Sequence, residues 1–363
     1  RSFDSDRSSA AARAAFYLKG TVRGDVLLSA AYDSDKPTRA RMLRDIRPDE
    51  FYPVYGDASL KSADARSKDR VYVRLDKERS YVLWGDFVTG DGFTQMTGQG
   101  RVASQKLRSL GAYNRSATGA QAHHETAGMV ANAFAFHDSL RSIVGEFASQ
   151  GSGPYGLRHN AVLEGSEKVE IVVRDRNQPT RVLRVRPLVP MIDYRFEPFS
   201  GRIILNEFLP SVDSDLNPVS LRVSYEVDQG GDAFWVGGAD AQFKLGDSLE
   251  VGGSAVHEAN PLAPYRLLSG NAAWRINDST TLVVEAAQTT STVNTNPANR
   301  NASPGLAGIV GEATGRAARV ELSHQDERSE LKLFGARSGA AFNNPSAPLA
   351  AARDELSLKA GHA

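Results

Sequence analysis

The 363-residue chain contains no cysteine at all. That excludes disulfides, thiolate zinc sites, iron–sulfur clusters and cysteine nucleophiles. It has no surplus of charge either. Forty-three Lys and Arg balance 43 Asp and Glu. A general nucleic-acid binder would show a basic stripe, and an acidic disordered chain an excess of the other sign. No uninterrupted run of 18 apolar residues occurs, so no transmembrane helix is expected. A transmembrane β-barrel stays open, because its strands carry membrane-facing residues only at alternate positions.

What is present is alternation. From Phe16 to Asp33 the even positions are Phe16, Leu18, Gly20, Val22, Gly24, Val26, Leu28, Ala30 and Tyr32. The odd positions include Lys19, Thr21, Arg23, Asp25, Ser29 and Asp33. Period two over that length predicts one long strand of about 55 Å, with Val22 and Val26 in its middle. Aromatic residues at both ends suit an interfacial girdle. Similar patterns occur at 71–76, 81–87, 109–125 and 129–137. After residue 232 they are nearly continuous: Trp235 to Leu245, Leu249 to Ala255, 268–276, 281–289, Ala318 to Leu322, then Leu331, Leu333, Leu356 and Leu358.

The connections are unequal. Gly246-Asp247, Asn277-Asp278-Ser279 and Asp326-Glu327-Arg328 read as tight turns, whereas 258–266, 291–315 and 338–353 are long and polar. Short turns on one side and long loops on the other are the habit of outer-membrane barrels. Residues 139–232 differ. Their strands are short, and Pro179, Pro187, Pro190, Pro198, Pro210 and Pro218 punctuate them. This predicts a small β-sandwich inserted between barrel strands, with residues 155–228 expected to fold alone.

Several segments resemble a known family. One set is 51–57, 79–87 and 113–116, including Tyr81, Trp84, Asp86 and Arg115. A second set is 163–170, 174–179, Asp193-Tyr194, 198–202 and 217–219. Together they resemble the large proteobacterial outer-membrane β-barrel proteins with a repeated Ig-like module, often labelled TonB-dependent-receptor-like. The resemblance implies a location and a fold rather than a reaction. No clear TonB box stands near the start.

Candidate chemistry is sparse. His123-His124-Glu125 looks like a metal cluster, yet on a strand only His123 and Glu125 share a side, and zinc needs more ligands. Asp213, Asp215 and Asn217 open like a calcium loop, but Pro218 and Ser224 replace the Gly and Glu an EF-hand requires. They are retained as calcium candidates against the simpler reading of an Asx turn. The Gly-rich stretch 90–100 lacks the Lys-Ser/Thr and helix of a phosphate loop. Gly305, Gly308, Gly311 and Gly315 lie in the longest loop. Ser254 is not in a Gly-x-Ser-x-Gly elbow. Arg39, Arg41, Arg44 and Arg47 are interleaved with acids and read as a solvated face.

The expectation is therefore an all-β chain, an antiparallel outer-membrane β-barrel with an inserted Ig-like β-sandwich. Its segments are 1–138 (barrel), 139–232 (module) and 233–363 (barrel, ending inside a strand pattern as a partial chain would). It is expected to be non-enzymatic, without cofactor save a possible calcium ion. Its partners are outer-membrane lipids and other envelope or surface proteins, and no nucleic acid. The expected role is envelope transport, surface structure or scaffolding. Turn parity puts the module on the extracellular side. The alternative is a soluble secreted multi-sandwich adhesin or binding protein.

Overall fold

The computed structural model describes residues 14–34, 70–89, 102–103, 107–159, 162, 166–177, 182–197, 200–228, 232–261, 263–293, 311–349 and 353–362. Every element among them is a β-strand, and every pairing between these strands is antiparallel. The chain divides into two compact units.

The first unit holds β1 (Ala15–Val22), β2 (Val26–Asp33), β3 (Val71–Lys77), β4 (Ser80–Val88) and, from β5 (Ser116–Glu125), residues 118–122. The single long strand expected over Phe16–Asp33 is in fact a hairpin. Val22 pairs with Val26 across Arg23-Gly24-Asp25. Arg23 and Gly24 take positive φ values of 47° and 83°, the left-handed geometry a tight turn demands and glycine supplies. A three-residue loop keeps even positions opposite even positions. The alternation therefore runs through the turn unbroken, which is why it read as one strand. Val22 and Val26 sit beside the turn, not in mid-strand.

In this unit many apolar residues lie on the uncovered face, although Ala31, Tyr72, Leu83 and Phe87 are buried on the other. Leu18, Ala30, Val73 and Trp84 are consecutive partners in one row, and Leu28, Leu75 and Val82 in the next. Leu18, Trp84 and Val82 are exposed, whereas Ser29 and Asp33, on the other face of β2, are buried.

The second unit contains the rest. Its ladder runs β6 (Met129–Asp138), β14 (Phe234–Leu245), β15 (Leu249–Glu258), β16 (Tyr265–Asn277), β17 (Thr280–Val293), β18 (Gly311–Gln325), β19 (Ser329–Ser338) and β20 (Arg353–His362). Leu245, Leu249, Trp274, Leu282, Leu322, Leu333 and Leu358 form one cross-strand row. Phe243, Val251, Ala272, Val284, Val320, Gly335 and Leu356 form the row beside it. These rows face out: Trp274 is 51% exposed, Leu358 68% and Leu356 80%. Along β14 the same face stays free of charge from Trp235 to Leu245. At about 3.4 Å per residue that is about 34 Å, and a strand tilted by about 45° projects it onto about 24 Å. The opposite face buries Asn132, Gln242, Glu250, Asn271, Glu285 and Arg319. Among the described residues β20 has a partner on one side only, β19.

Between β6 and β14 the chain leaves the ladder for a module of two sheets. One is β10 (Val182–Pro187), β9 (Lys168–Arg174), β13 (Val219–Asp228) and β7 (Leu140–Ala148), in that order. The other is β11 (Tyr194–Glu197), β12 (Arg202–Leu205) and β8 (Tyr155–Gly156). They enclose one core with Ile143, Tyr155, Val169, Ile171, Tyr194, Ile203, Leu221, Val223 and Tyr225. This layer is built the usual way round, apolar side chains inward.

The module includes β7, which lies before the 155–228 span expected to fold alone. β7 pairs with β13 from Leu140↔Asp228 to Ala148↔Ser220. Its Ile143 and Phe147 belong to the core. Without it β13 loses a ladder and the core loses one wall. A fragment of residues 139–228 is predicted to melt cooperatively, and one of residues 155–228 to lack a cooperative transition, both read by circular dichroism. Equal melts would show β7 to be dispensable.

Candidate functional site

The second unit carries an irregular segment laid across the polar face of its ladder. Residues 109–125 were expected as one strand, but β5 begins only at Ser116. Before it, residues 107–115 and Val102-Ala103 lie against β14 to β18. The reason is chemical: their backbone N–H groups and Arg108 find better acceptors on the sheet than in a ladder of their own.

The centre of this contact is the carboxylate of Glu285 in mid-β17. It accepts hydrogen bonds from the backbone nitrogens of Ser109 (2.9 Å), Leu110 (2.8 Å) and Gly111 (2.9 Å), and from the Ser109 hydroxyl (3.1 Å). Its second oxygen also takes the Arg319 Nε at 2.6 Å. Successive backbone N–H groups converging on one anion form a nest, and charge-assisted hydrogen bonds of this kind are the strong ones. Glu285 and Arg319 are direct cross-strand partners.

Other contacts extend the attachment. Arg108 pairs with Asp240 at 2.9 Å and donates to the Gly253 carbonyl at 2.9 Å. Val102 donates its backbone N–H to Glu250 at 3.4 Å, and its carbonyl accepts from Arg275 at 3.3 Å. Val102, Ala103 and Leu107 pack on Ala273 and Val283. Ser254 donates to the Gly111 carbonyl at 3.1 Å. A Cβ on Gly111 would collide with the Ser269 side chain, so only glycine allows this approach.

The β19–β20 connection folds over the segment. Asn344 donates to the carbonyls of Leu110 (2.6 Å) and Ala112 (2.9 Å), and Ser346 accepts from the Asn114 N–H at 3.1 Å. Phe342 is buried, and Gly315 lies so close to its backbone that a Cβ would not fit.

Where the segment ends, a second buried cluster ties the module to the strands. Arg115 donates its Nε to Glu226 of β13 (3.0 Å) and its Nη2 to Asp138 at the end of β6 (3.2 Å) and to the Leu140 carbonyl (2.7 Å). Its guanidinium lies over the Phe136 ring at 4.9 Å, and Glu258 stands 3.9 Å away. Tyr113 donates to Glu258 at 2.6 Å. Three carboxylates thus share one guanidinium. Burial pushes the Glu226 carboxyl up to about 7, with the charges of Asp138 and Glu258 adding to the rise and Arg115 opposing it.

Of the residues singled out in the sequence for their chemistry, Ser254 and Gly315 belong to these contacts and the others fall elsewhere. His123 meets Asn132 at 2.6 Å and Glu125 at 3.6 Å on the polar face. Asp213 accepts from the backbone N–H of Asp215 and of Asn217, both at 2.9 Å, so the geometry at these residues is that of an Asx turn. Those bonds hold the Asp213 carboxyl below its ordinary range. Asn217 in turn accepts from the Arg176 N–H at 3.2 Å. Among the described residues no group of three or more His, Asp or Glu is arranged to hold a metal ion. Arg39, Arg41, Arg44 and Arg47, the stretch 90–100, Gly305 and Gly308 lie outside the described residues. Glu285, Arg319, Arg108 and Glu226 had no motif to announce them, whereas Arg115 stands in the family-like segment 113–116. The one available signal was charge in mid-strand on the face opposite the apolar rows.

No protein-family model and no curated protein matches the chain. Among solved structures it is similar to OccAB3 of Acinetobacter baumannii, at 12% identity and a TM-score of 0.31 over 95% of this chain and 61% of that one. It is similar also to the translocation pore of the P pilus usher PapC, at 11% identity and a TM-score of 0.31 over 90% of this chain and 56% of that one. A third is OccK7 of Pseudomonas aeruginosa, at 10% identity and a TM-score of 0.25 over 96% of this chain and 90% of that one. The chain thus spans less than two thirds of the first two. At such scores these likenesses carry no functional argument, and the function proposed below rests on the chain's own residues.

Removing Arg115 strands buried carboxylates, so Arg115→Met is predicted to destabilise the second unit by about 3–5 kcal/mol in denaturant unfolding. Glu226 gives a pH dependence of known sign. Its folded pKa lies above the unfolded value near 4.5. The folded state therefore holds the proton more tightly, and the stability this lends is full below about pH 4.5 and lost as pH rises through about 7. Glu226→Gln is predicted to flatten that part of the pH–stability curve. An unchanged slope between pH 5 and 8 would contradict it.

Proposed function

We propose that the chain is part of an outer-membrane β-barrel that acts in envelope transport, without catalysis, with lipids as the medium around its strands. One observation carries this reading: the sheets are inside out. Residues that a protein in water hides, such as Leu356, Leu358, Trp235 and Trp274, stand exposed in rows. Residues that it would leave in water, such as Glu285, Arg319, Gln242 and Asn271, are buried and bonded to each other. Hydrocarbon tolerates that outer face, and each strand from β14 to β19 is paired on both sides. Aromatic residues near both ends of the band, Trp235 and Trp274, suit the two interfaces.

The tight turns at Gly246-Asp247, 277–279 and 326–328 lie at one end of the ladder. The module and the 259–264 and 339–352 connections lie at the other. Short turns on the periplasmic side support a reading in which the module, taken as an Ig-like sandwich, faces the outside of the cell and meets partners there. A soluble adhesin with the same strands would have to cover the apolar rows with another sheet.

The test is fractionation with outer membranes and heat-modifiable gel migration, in the wild type and two variants. Val284→Arg, in mid-band, is predicted to lose about 2–4 kcal/mol of insertion free energy, and Thr314→Arg, on the same face beyond the Gln288 and Arg316 row, about 0–1 kcal/mol. Equal effects would overturn the membrane reading. For orientation, a cysteine placed at Asn177 or Asp213 in this cysteine-free chain is predicted to label on intact cells. Labelling only after permeabilisation would put the module in the periplasm.

A further inference from the structure

We infer that residues 107–112, with Val102 and Ala103, are a displaceable plug, and that the path it closes prefers cations. This rests on the barrel reading above. The segment has no regular structure of its own, and polar contacts centred on Glu285 hold most of it. The apolar part of the contact is Val102, Ala103 and Leu107 against Ala273 and Val283, together with the buried Leu110. A segment with no strand ladder of its own, held largely by hydrogen bonds to one carboxylate, opens at lower cost than the strands beneath it.

The chemistry of what it covers sets the preference. The strand residues under and beside the segment are Asp240, Glu250, Glu285 and Glu321, against Arg275 and Arg319. Lys244, nearer the turn, is paired with Asp247. Arg319 contacts both Glu285 (2.6 Å) and Glu321 (3.3 Å). Arg108 and the three N–H groups of Ser109, Leu110 and Gly111 supply the remaining positive potential, and all of them belong to the segment. When the segment leaves, Asp240 loses its ion pair with Arg108, and Glu285 loses four of its five donor groups among the described residues. The uncovered strip is then acidic in excess. The solute that suits it is one that repeats what the segment offers there, a cation rich in hydrogen-bond donors such as an amine or a guanidinium.

The experiment uses the full-length protein from membranes, inserted in planar lipid bilayers in a potassium chloride gradient. Wild type is compared with Glu285→Gln and with a form in which residues 107–111 are replaced by a Gly-Ser linker. Glu285→Gln keeps the size of the side chain but turns an amide group towards the nest. The expected result is that its open time rises about tenfold or more, the effect of losing one charge-assisted hydrogen bond. The linker form should stay open, and the reversal potential of both should show potassium favoured over chloride. Hydrogen exchange on unmodified protein is the second measurement, independent of variant folding. The amides of Ser109, Leu110 and Gly111 should exchange well ahead of those in β17. Exchange in step with β17, or unchanged open time in inserted variants, would make the segment a fixed strut. Chloride preference would overturn the acidic path. Wild-type protein that neither inserts nor migrates heat-modifiably would instead overturn the barrel reading beneath it.

Discussion

A one-residue slip in the ladder from β14 to β20 would carry Glu285 and Arg319 to the face now held by Val284 and Val320. Side chains alternate strictly along a strand, so a slip of one inverts every residue of that strand at once. Here both faces resist inversion. The outer face excludes charge across whole rows, from Leu245 through Trp274 to Leu358. The inner face buries ionised groups that need specific partners, such as Glu285 opposite Arg319. Register is therefore fixed twice, by exclusion on one side and by pairing on the other.

That double constraint explains the composition. Charge balanced at zero looks unremarkable as a sum. In space, much of it is paired on the inner face: Arg108 with Asp240, Arg319 with Glu285 and Glu321, Arg115 with Glu226 and Asp138. A buried ion removed from its partner is costly, so each pair commits both strands to one arrangement. The module follows the opposite rule. Its Leu221 and Val223 are fully buried, and its ionic contacts, such as Arg222 with Glu170 and Arg174 with Glu146, lie on the outside of its sheet. Two opposite rules of burial are written into one chain, and residues 138–140, 226–228 and 232–234 mark the change between them.

Strands were legible wherever alternation was uninterrupted and the turn was tight. β14 to β19 follow from Gly246-Asp247, 277–279 and 326–328 and the apolar rows between them. The β1–β2 hairpin was missed because a three-residue turn preserves parity, so Val22 and Val26 looked like neighbours in a continuous strand. The segment before β5 was misread for a related reason. Ser109, Gly111 and Tyr113 alternate acceptably with Leu110 and Ala112, and nothing local reveals that their N–H groups will be taken by a carboxylate far along the chain. Period two reports what a backbone could pair with, not the stronger acceptor that arrives from elsewhere. Glu285 and Arg319 are joined by a long connection rather than a tight turn, so no turn geometry placed them opposite each other.

The position of Arg115 links the two halves of this design. Residues 107–111 are bound to the ladder through Glu285, and only a few residues later the same stretch reaches Glu226 of the module and Asp138 of β6. The module has two covalent connections to the ladder, through β6–β7 and β13–β14, and Arg115 bridges both by touching Asp138, the Leu140 carbonyl and Glu226. A shift of the module on its two connections would have to stretch or break bonds to Arg115 before any others in the inner segment. The guanidinium is planar and its donors are fixed in direction, so it cannot follow such a shift as a flexible ammonium could. The geometry that seats the module and the geometry that seats the segment are for that reason not independent. A lysine at 115 would keep the charge and lose the coupling.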